Sequence, residues 1–247
     1  MDEYKDREIY RKTINAKDLV FYRVAYRQTD LLVGTKEILK DIIKPKIVNT
    51  RRILDEHIEN NPKFLKSLSP IGYNSDAPKV VKQMCDASKK AGVGPMATVA
   101  GAFCLAAFDV VSNKAHEIVI ENGGDLLLRT KSQRTIALYA GKSELSMKLG
   151  LRIMPQEDSI GICTSAGTIG HSKSFGKADL ALVISKDVLL ADALATHLGN
   201  LVKTKDDIKN AVEKVYSKAG VIGAIVIIDE NIAAIGDIDI IPLDLNH

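Results

Sequence analysis

The stretch from Met96 to Val111 is small or apolar at nearly every position, so a helix formed there has no polar face to give to solvent. It must be buried on most of its circumference. That demands other layers of structure on several sides, which a chain of 247 residues is long enough to supply as one large domain or two small ones. The turn before it, Gly92-Val93-Gly94-Pro95, puts Pro95 in the first helical turn, where proline is tolerated.

The rest of the chain reads as short strands with a few helices. Val20 to Tyr26 and Asp30 to Val33 are β-rich and close enough to pair. Thr35 is placed to cap a long helix through Ile38, Leu39, Ile42, Ile43 and Ile47, with Pro45 expected to kink or interrupt it and Asn61-Pro62 to end it. Asp76 is placed to cap a helix running to Lys90. Strands follow at Glu117 to Glu121, Leu126 to Arg129, Thr135 to Ala140, Leu149 to Met154, Ile160 to Cys163 and Ala178 to Ser185. A helix around Ala191, another from Asp206 to Lys218 and hairpin strands from Val221 to Ile241 close the chain. Strand and helix do not alternate regularly, which argues against a doubly wound parallel sheet. The expected class is α+β, a mostly antiparallel sheet packed with helices. No Ser/Gly/Pro-rich linker divides it, so a single domain over residues 1–247 is expected, with 1–19 as an N-terminal extension.

Charge excludes one large class of function. The 34 basic and 31 acidic residues are mostly interspersed, and there is no Trp, so neither a basic face nor a base-stacking platform for nucleic acid is evident. The charged N-terminus lacks the apolar core of a signal peptide, and no run approaches ~20 apolar residues. A cytoplasmic protein without a membrane segment is expected. Cys85, Cys104 and Cys163 are odd in number and show no metal-type pairing.

Polar residues that end apolar runs mark the candidate site, because loops there can turn polar groups toward a ligand. Asp192 and Thr196 are four apart in a run of helix formers, so their oxygens share one helix face and suit a hard cation such as Mg²⁺. The alternative is a solvated or capping Asp192 beside an ordinary packing threonine. Gly123-Gly124, between Asn122 and Asp125, gives a turn whose N–H groups are open to a phosphate, or a plain hairpin turn. Thr164, Ser165 and Thr168 with Gly167 offer hydroxyls and backbone donors for phosphate oxygens. His171 has the chemistry of a general acid or base, or of a loop histidine hydrogen-bonded in place. Asp179 holds a loop or faces the ligand. Cys163 with His171 is a rival pairing for thiol catalysis.

Glu121-Asn122-Gly123-Gly124-Asp125, Thr164-Ser165, His171 and Ala191-Asp192-Ala193-Leu194-Ala195-Thr196 stand in an order that resembles the ApbE-like superfamily, known for FAD:protein FMN transferases. With Ala91-Gly92-Val93-Gly94-Pro95-Met96-Ala97 and Phe175-Gly176-Lys177-Ala178-Asp179, the chain looks most like a short, uncharacterised branch of that superfamily, from about Tyr22 to Gly236. The resemblance implies a T-fold-like domain that binds FAD or a related nucleotide with Mg²⁺. Asp192 and Thr196 would hold the metal, His171 and Asp192 would be catalytic, and Asn122, Gly123, Gly124, Asp125, Thr164, Ser165, Gly167, Thr168 and Asp179 would bind the cofactor. FMN would pass to an acceptor protein. The small residues Ala97, Thr98, Ala100, Gly101 and Ala102 let another helix, a strand or a flavin approach closely, helix packing being the commoner reason. Two departures weigh against transfer: Val99-Ala100-Gly101 lacks the charged residue that the transferases carry there, and the His171 segment lacks their aspartate-proline pair. Archaeal members of the branch are linked to sulfide-dependent homocysteine formation with other proteins, which gives an accessory role in sulfur assimilation as the alternative. A closed homodimer is the default assembly for an enzyme-like protein of this kind.

Overall fold

The computed structural model describes residues 11, 16–165 and 176–243. Its strands are β1 (Val20–Tyr26), β2 (Thr29–Thr35), β3 (Ile118–Asn122), β4 (Asp125–Thr130), β5 (Arg134–Ala137), β6 (Leu149–Ile153), β7 (Gln156–Ser165), β8 (Leu180–Ser185), β9 (Val221–Ile228), β10 (Asn231–Gly236) and β11 (Asp239–Pro242). The helices are α1 (Lys40–Asn60), α2 (Pro62–Lys66), α3 (Lys79–Ala91), α4 (Val99–Val111), α5 (Val188–Leu201) and α6 (Ile208–Tyr216). Short 3₁₀ turns at Pro95–Thr98 and Lys205–Asp207 lead into α4 and α6.

Eight strands form one antiparallel sheet in the order β1-β2-β3-β4-β7-β8-β9-β10, and β11-β6-β5 form a small second sheet. Side chains alternate across a strand, so each central strand serves two cores. Leu180, Leu182 and Ile184 of β8, Ile225 and Ile227 of β9, and Ile160 and Ile162 of β7 pack with Leu151 and Ile153 of the small sheet. Their neighbours Ala181, Val183, Ala224, Val226 and Cys163 face α4 and α5 instead. The result is three layers: helices, main sheet, small sheet. Both faces of the central strands are buried, which is why β8 is apolar throughout rather than alternating.

The helices bear out the burial argument. Phe103, Cys104 and Ala107 of α4 are at most 1% exposed, and α5 is buried from Val188 through Thr196. Three expectations about helix ends do not hold. Thr35 ends β2, and its hydroxyl bonds the Glu37 carbonyl, so α1 starts only after Leu39. Pro45 lies inside α1 without ending it: proline so near the start forfeits one hydrogen bond, and the buried face of Ile43, Ile47 and Leu54 carries the helix past it. Pro78, rather than Asp76, stands before the first turn of α3. Among the described residues no single helix is long and apolar enough to cross a membrane.

Candidate functional site

The β3–β4 turn, the end of β7 and the contact between α4 and α5 meet at one end of the main sheet. Gly101, in the first turn of α4, permits that contact. A Cβ there would lie 2.8 Å from the Val188 carbonyl oxygen and 3.3 Å from the Asp192 Cβ. With only hydrogen at this position, the Gly101 N–H donates to Asp192 Oδ2 at 2.8 Å. Asp192 thus reaches from α5 to the N-terminus of α4, where helical N–H groups lack intrahelical partners and favour a negative charge.

Asp192 is 7% exposed and so is not solvated, while Thr196, one turn further along α5, is 8% exposed, as an ordinary packing threonine also is. Capping of α4 is real: Oδ2 takes the Gly101 N–H, and the Ala100 amide also acts on the carboxylate. Burial pushes the Asp192 carboxyl up to about 7, against the opposing pull of the Gly101 and Ala100 amides. Asp125 lies close by, 5% exposed. Burial first, and then the Asp192 charge, push its carboxyl well above the usual range. Burial is the chief cause of both rises, and a charge on one carboxylate disfavours a charge on the other. Neither has an ion-pair partner among the described residues.

The Glu121 to Asp125 segment divides between the two faces of the sheet. Asn122 and Asp125 pair across the hairpin. They point to the helix side, sharing it with Ile120 and Leu127. Asn122 Nδ2 donates to the Ala100 carbonyl at 3.2 Å, and Asp125 Oδ1 accepts from Thr164 N at 2.9 Å. Gly123 and Gly124 have φ of 69° and 98°, the left-handed region that glycine enters without strain. Glu121 points to the opposite face, where its Oε1 accepts from Gly124 N at 2.9 Å and its Oε2 accepts from Arg11 Nε at 2.6 Å.

Ser165 ends β7 on the helix-facing side with Cys163, and its buried Oγ has no partner among the described residues. Thr164 Oγ1 donates to the Gly124 carbonyl at 3.3 Å. Gly167, Thr168 and His171 lie outside the described residues. Asp179 serves a different turn: its Oδ2 accepts from Asp229 N at 2.8 Å, holding the β9–β10 connection. Cys163 is fully buried with Sγ 3.5 Å from the Val188 carbonyl, and burial and the Asp125 and Asp192 carboxylates push its thiol well up. That is the reverse of thiolate activation. Sequence reasoning found the Asp192/Thr196 spacing and the glycine turn, but it missed Arg11, which is 110 positions from Glu121 and carries no local signal.

Among the described residues no three His, Cys, Asp or Glu side chains converge as a metal site. A cation here would therefore draw on Asp192, Thr196 and oxygens of its ligand, the mixed shell that Mg²⁺ accepts. A groove of about 380 Å³ beside the first turn of α5 has Lys90 on its wall together with charged groups that are already engaged: Lys186 with Asp158, Asp86 with Tyr73, and Asp187 with the α5 amides. It offers a ligand less than the carboxylate pair does.

A family described as AbpE bacteria matches residues 11–232. A UPF0280 protein of Methanococcus maripaludis strain C5 is 39% identical over 223 residues, covering 87% of this chain and 90% of its own. A UPF0280 protein of Archaeoglobus fulgidus is 36% identical over 224 residues, covering 88% of this chain and 92% of its own. Among solved structures, the flavin transferase ApbE of Vibrio cholerae superposes with a TM-score of 0.56 at 12% identity, over 88% of this chain and 96% of that one. The apo flavinyl transferase ApbE of Pseudomonas stutzeri gives 0.53 at 12% identity, over 88% and 93%. At that identity the likeness is one of fold.

Proposed function

The chain belongs to the family described as AbpE bacteria, and from that premise we propose that the α4–α5 junction binds FAD or a related nucleotide through a divalent cation, as part of flavin transfer. One observation carries the reading. Two buried carboxyls, Asp192 and Asp125, face each other's field with no basic side chain to balance them among the described residues. Burying an unpaired carboxylate costs several kcal/mol unless it is neutralised. A cation at Asp192 removes that cost. Oδ1 of Asp192 and the hydroxyl of Thr196 are hard oxygen donors on one helix face, and a nucleotide diphosphate completes the shell.

A bound Mg²⁺ would neutralise the diphosphate and act as a Lewis acid for its cleavage. The chain's own residues do the rest. The Gly101 amide holds Asp192 Oδ2 and so fixes the orientation of the carboxylate. The Ser165 hydroxyl, without a partner among the described residues, gives a phosphate oxygen a donor, while the Gly124 N–H stays on Glu121 and holds the turn. Asp125, whose carboxyl burial pushes well above the usual range, is suited to give a proton to a leaving phosphate oxygen. The acceptor of FMN is a hydroxyl of a partner protein.

Titration of the flavin-free protein with FAD, followed by flavin fluorescence, tests the reading. Saturable binding is expected with Mg²⁺ and not with a chelator, and Thr196→Ala is expected to weaken it about tenfold by removing one ligand. No binding in either condition overturns the flavin reading and brings forward the accessory role in sulfur assimilation.

A further inference from the structure

On the face of the sheet away from the helices, Arg11 links two residues that are far apart in sequence, Glu121 and Asp30, through three groups. Its Nε donates to Glu121 Oε2 at 2.6 Å, its NH1 to Asp30 Oδ2 at 3.0 Å and its NH2 to the Asp30 carbonyl at 2.7 Å. Asp30 also takes Arg23 Nε at 2.6 Å. The contact is partly sheltered, with the Arg11 side chain 14% and the Glu121 side chain 2% exposed. Arginine suits the task because its rigid planar fork addresses several oxygens at once.

Glu121 passes this grip through the sheet. Its second oxygen accepts the Gly124 N–H, and the Gly124 carbonyl accepts from Thr164 Oγ1. The next residue, Asp125, accepts from Thr164 N, while Asn122, just before the glycines, donates to the Ala100 carbonyl. A Gly-Gly pair has little conformational preference of its own, so something else must hold the turn in one shape. Glu121 is that brace, and Arg11 orients it. We propose that Arg11 is a positioning residue of the site: by holding Glu121 on one face of the sheet, it fixes the Gly123-Gly124 turn and so places Asn122 and Asp125 on the other. The inference rests on the reading that this turn borders the nucleotide, but the brace itself exists without ligand.

Two readouts on the full-length protein separate those levels. In Arg11→Ala, amide hydrogen exchange at Gly124 is expected to rise about tenfold, while β8 amides keep their protection. FAD affinity at saturating Mg²⁺ is expected to fall about tenfold. Arg11→Lys keeps the charge but loses the fork, so intermediate values are expected. In Glu121→Gln, a neutral amide oxygen still accepts from Gly124, and adding Arg11→Ala to it is expected to cause little further loss, the signature of coupling. Unchanged Gly124 exchange in Arg11→Ala overturns the proposal, as does faster exchange with unaltered FAD affinity. Loss of β8 protection in both Arg11 variants also overturns it, because the role would then be general stability. If the wild-type protein binds no FAD, the reading of the site fails, and the exchange data alone still decide whether Arg11 braces the turn.

Discussion

Asp192→Asn is expected to raise the melting temperature of the metal-free protein at pH 8 and to abolish its stabilisation by Mg²⁺ with FAD. The native carboxyl titrates near 7 because of burial, against an ordinary value of 3.8. Between those values the folded state binds more protons than the unfolded state. The contribution of Asp192 to stability therefore falls as pH rises from about 4 to about 7. The full rise corresponds to roughly 4 kcal/mol against the ionised form. That figure already includes the pull of the Gly101 and Ala100 amides. The neutral amide still accepts from Gly101, so a gain of a few kcal/mol, at roughly 2–4 °C for each, is expected without metal. With ligand at a hundred times its dissociation constant the wild type gains ~2.7 kcal/mol and the variant nothing, so the gap between the two melting temperatures narrows. A variant less stable than wild type at pH 8 in both conditions means that Asp192 only caps α4.

Gly101→Ala is expected to cost about 1–3 kcal/mol, although alanine is the better helix former. The added carbon would lie 2.8 Å from the Val188 backbone oxygen, which cannot rotate away as a side chain can. Relief requires α4 and α5 to separate, and separation lengthens the Gly101–Asp192 hydrogen bond that orients the carboxylate. Denaturant unfolding reads the stability, and FAD titration with Mg²⁺ is expected to weaken at least tenfold. Gly72→Ala is the control: nothing lies within 4 Å of a Cβ there, and the change is expected to stay within ~0.5 kcal/mol. Equal effects at both positions contradict the close-approach account.

The fold was legible because its strongest signals are local. An apolar run as uniform as Val99–Val111 has one outcome, burial, and short β-rich segments bounded by turn residues mark the strands to within a few positions. What failed was end chemistry. Thr35 and Asp76 have the right side chains for caps, yet Thr35 spends its hydroxyl on Glu37 and Tyr22 within the hairpin, and Pro78 takes the position before α3. Of the site, the four-residue spacing of Asp192 and Thr196 set both on one face of α5. Spacing carried no hint that the carboxylate would meet the start of another helix 91 positions away. Arg11 was invisible for the same reason, and the separation of Glu121 from Asn122 and Asp125 onto opposite faces follows only once the β3–β4 register is known.

The central claim is that Asp192 and Thr196 hold a divalent cation together with a nucleotide diphosphate. Electron paramagnetic resonance of Mn²⁺ titrated into the protein with FAD tests it most directly, since free and protein-bound Mn²⁺ are distinguished in one spectrum. One bound Mn²⁺ per chain that requires FAD, and is lost in Asp192→Asn, is the result expected. Equal Mn²⁺ binding by wild type and Asp192→Asn would contradict the account.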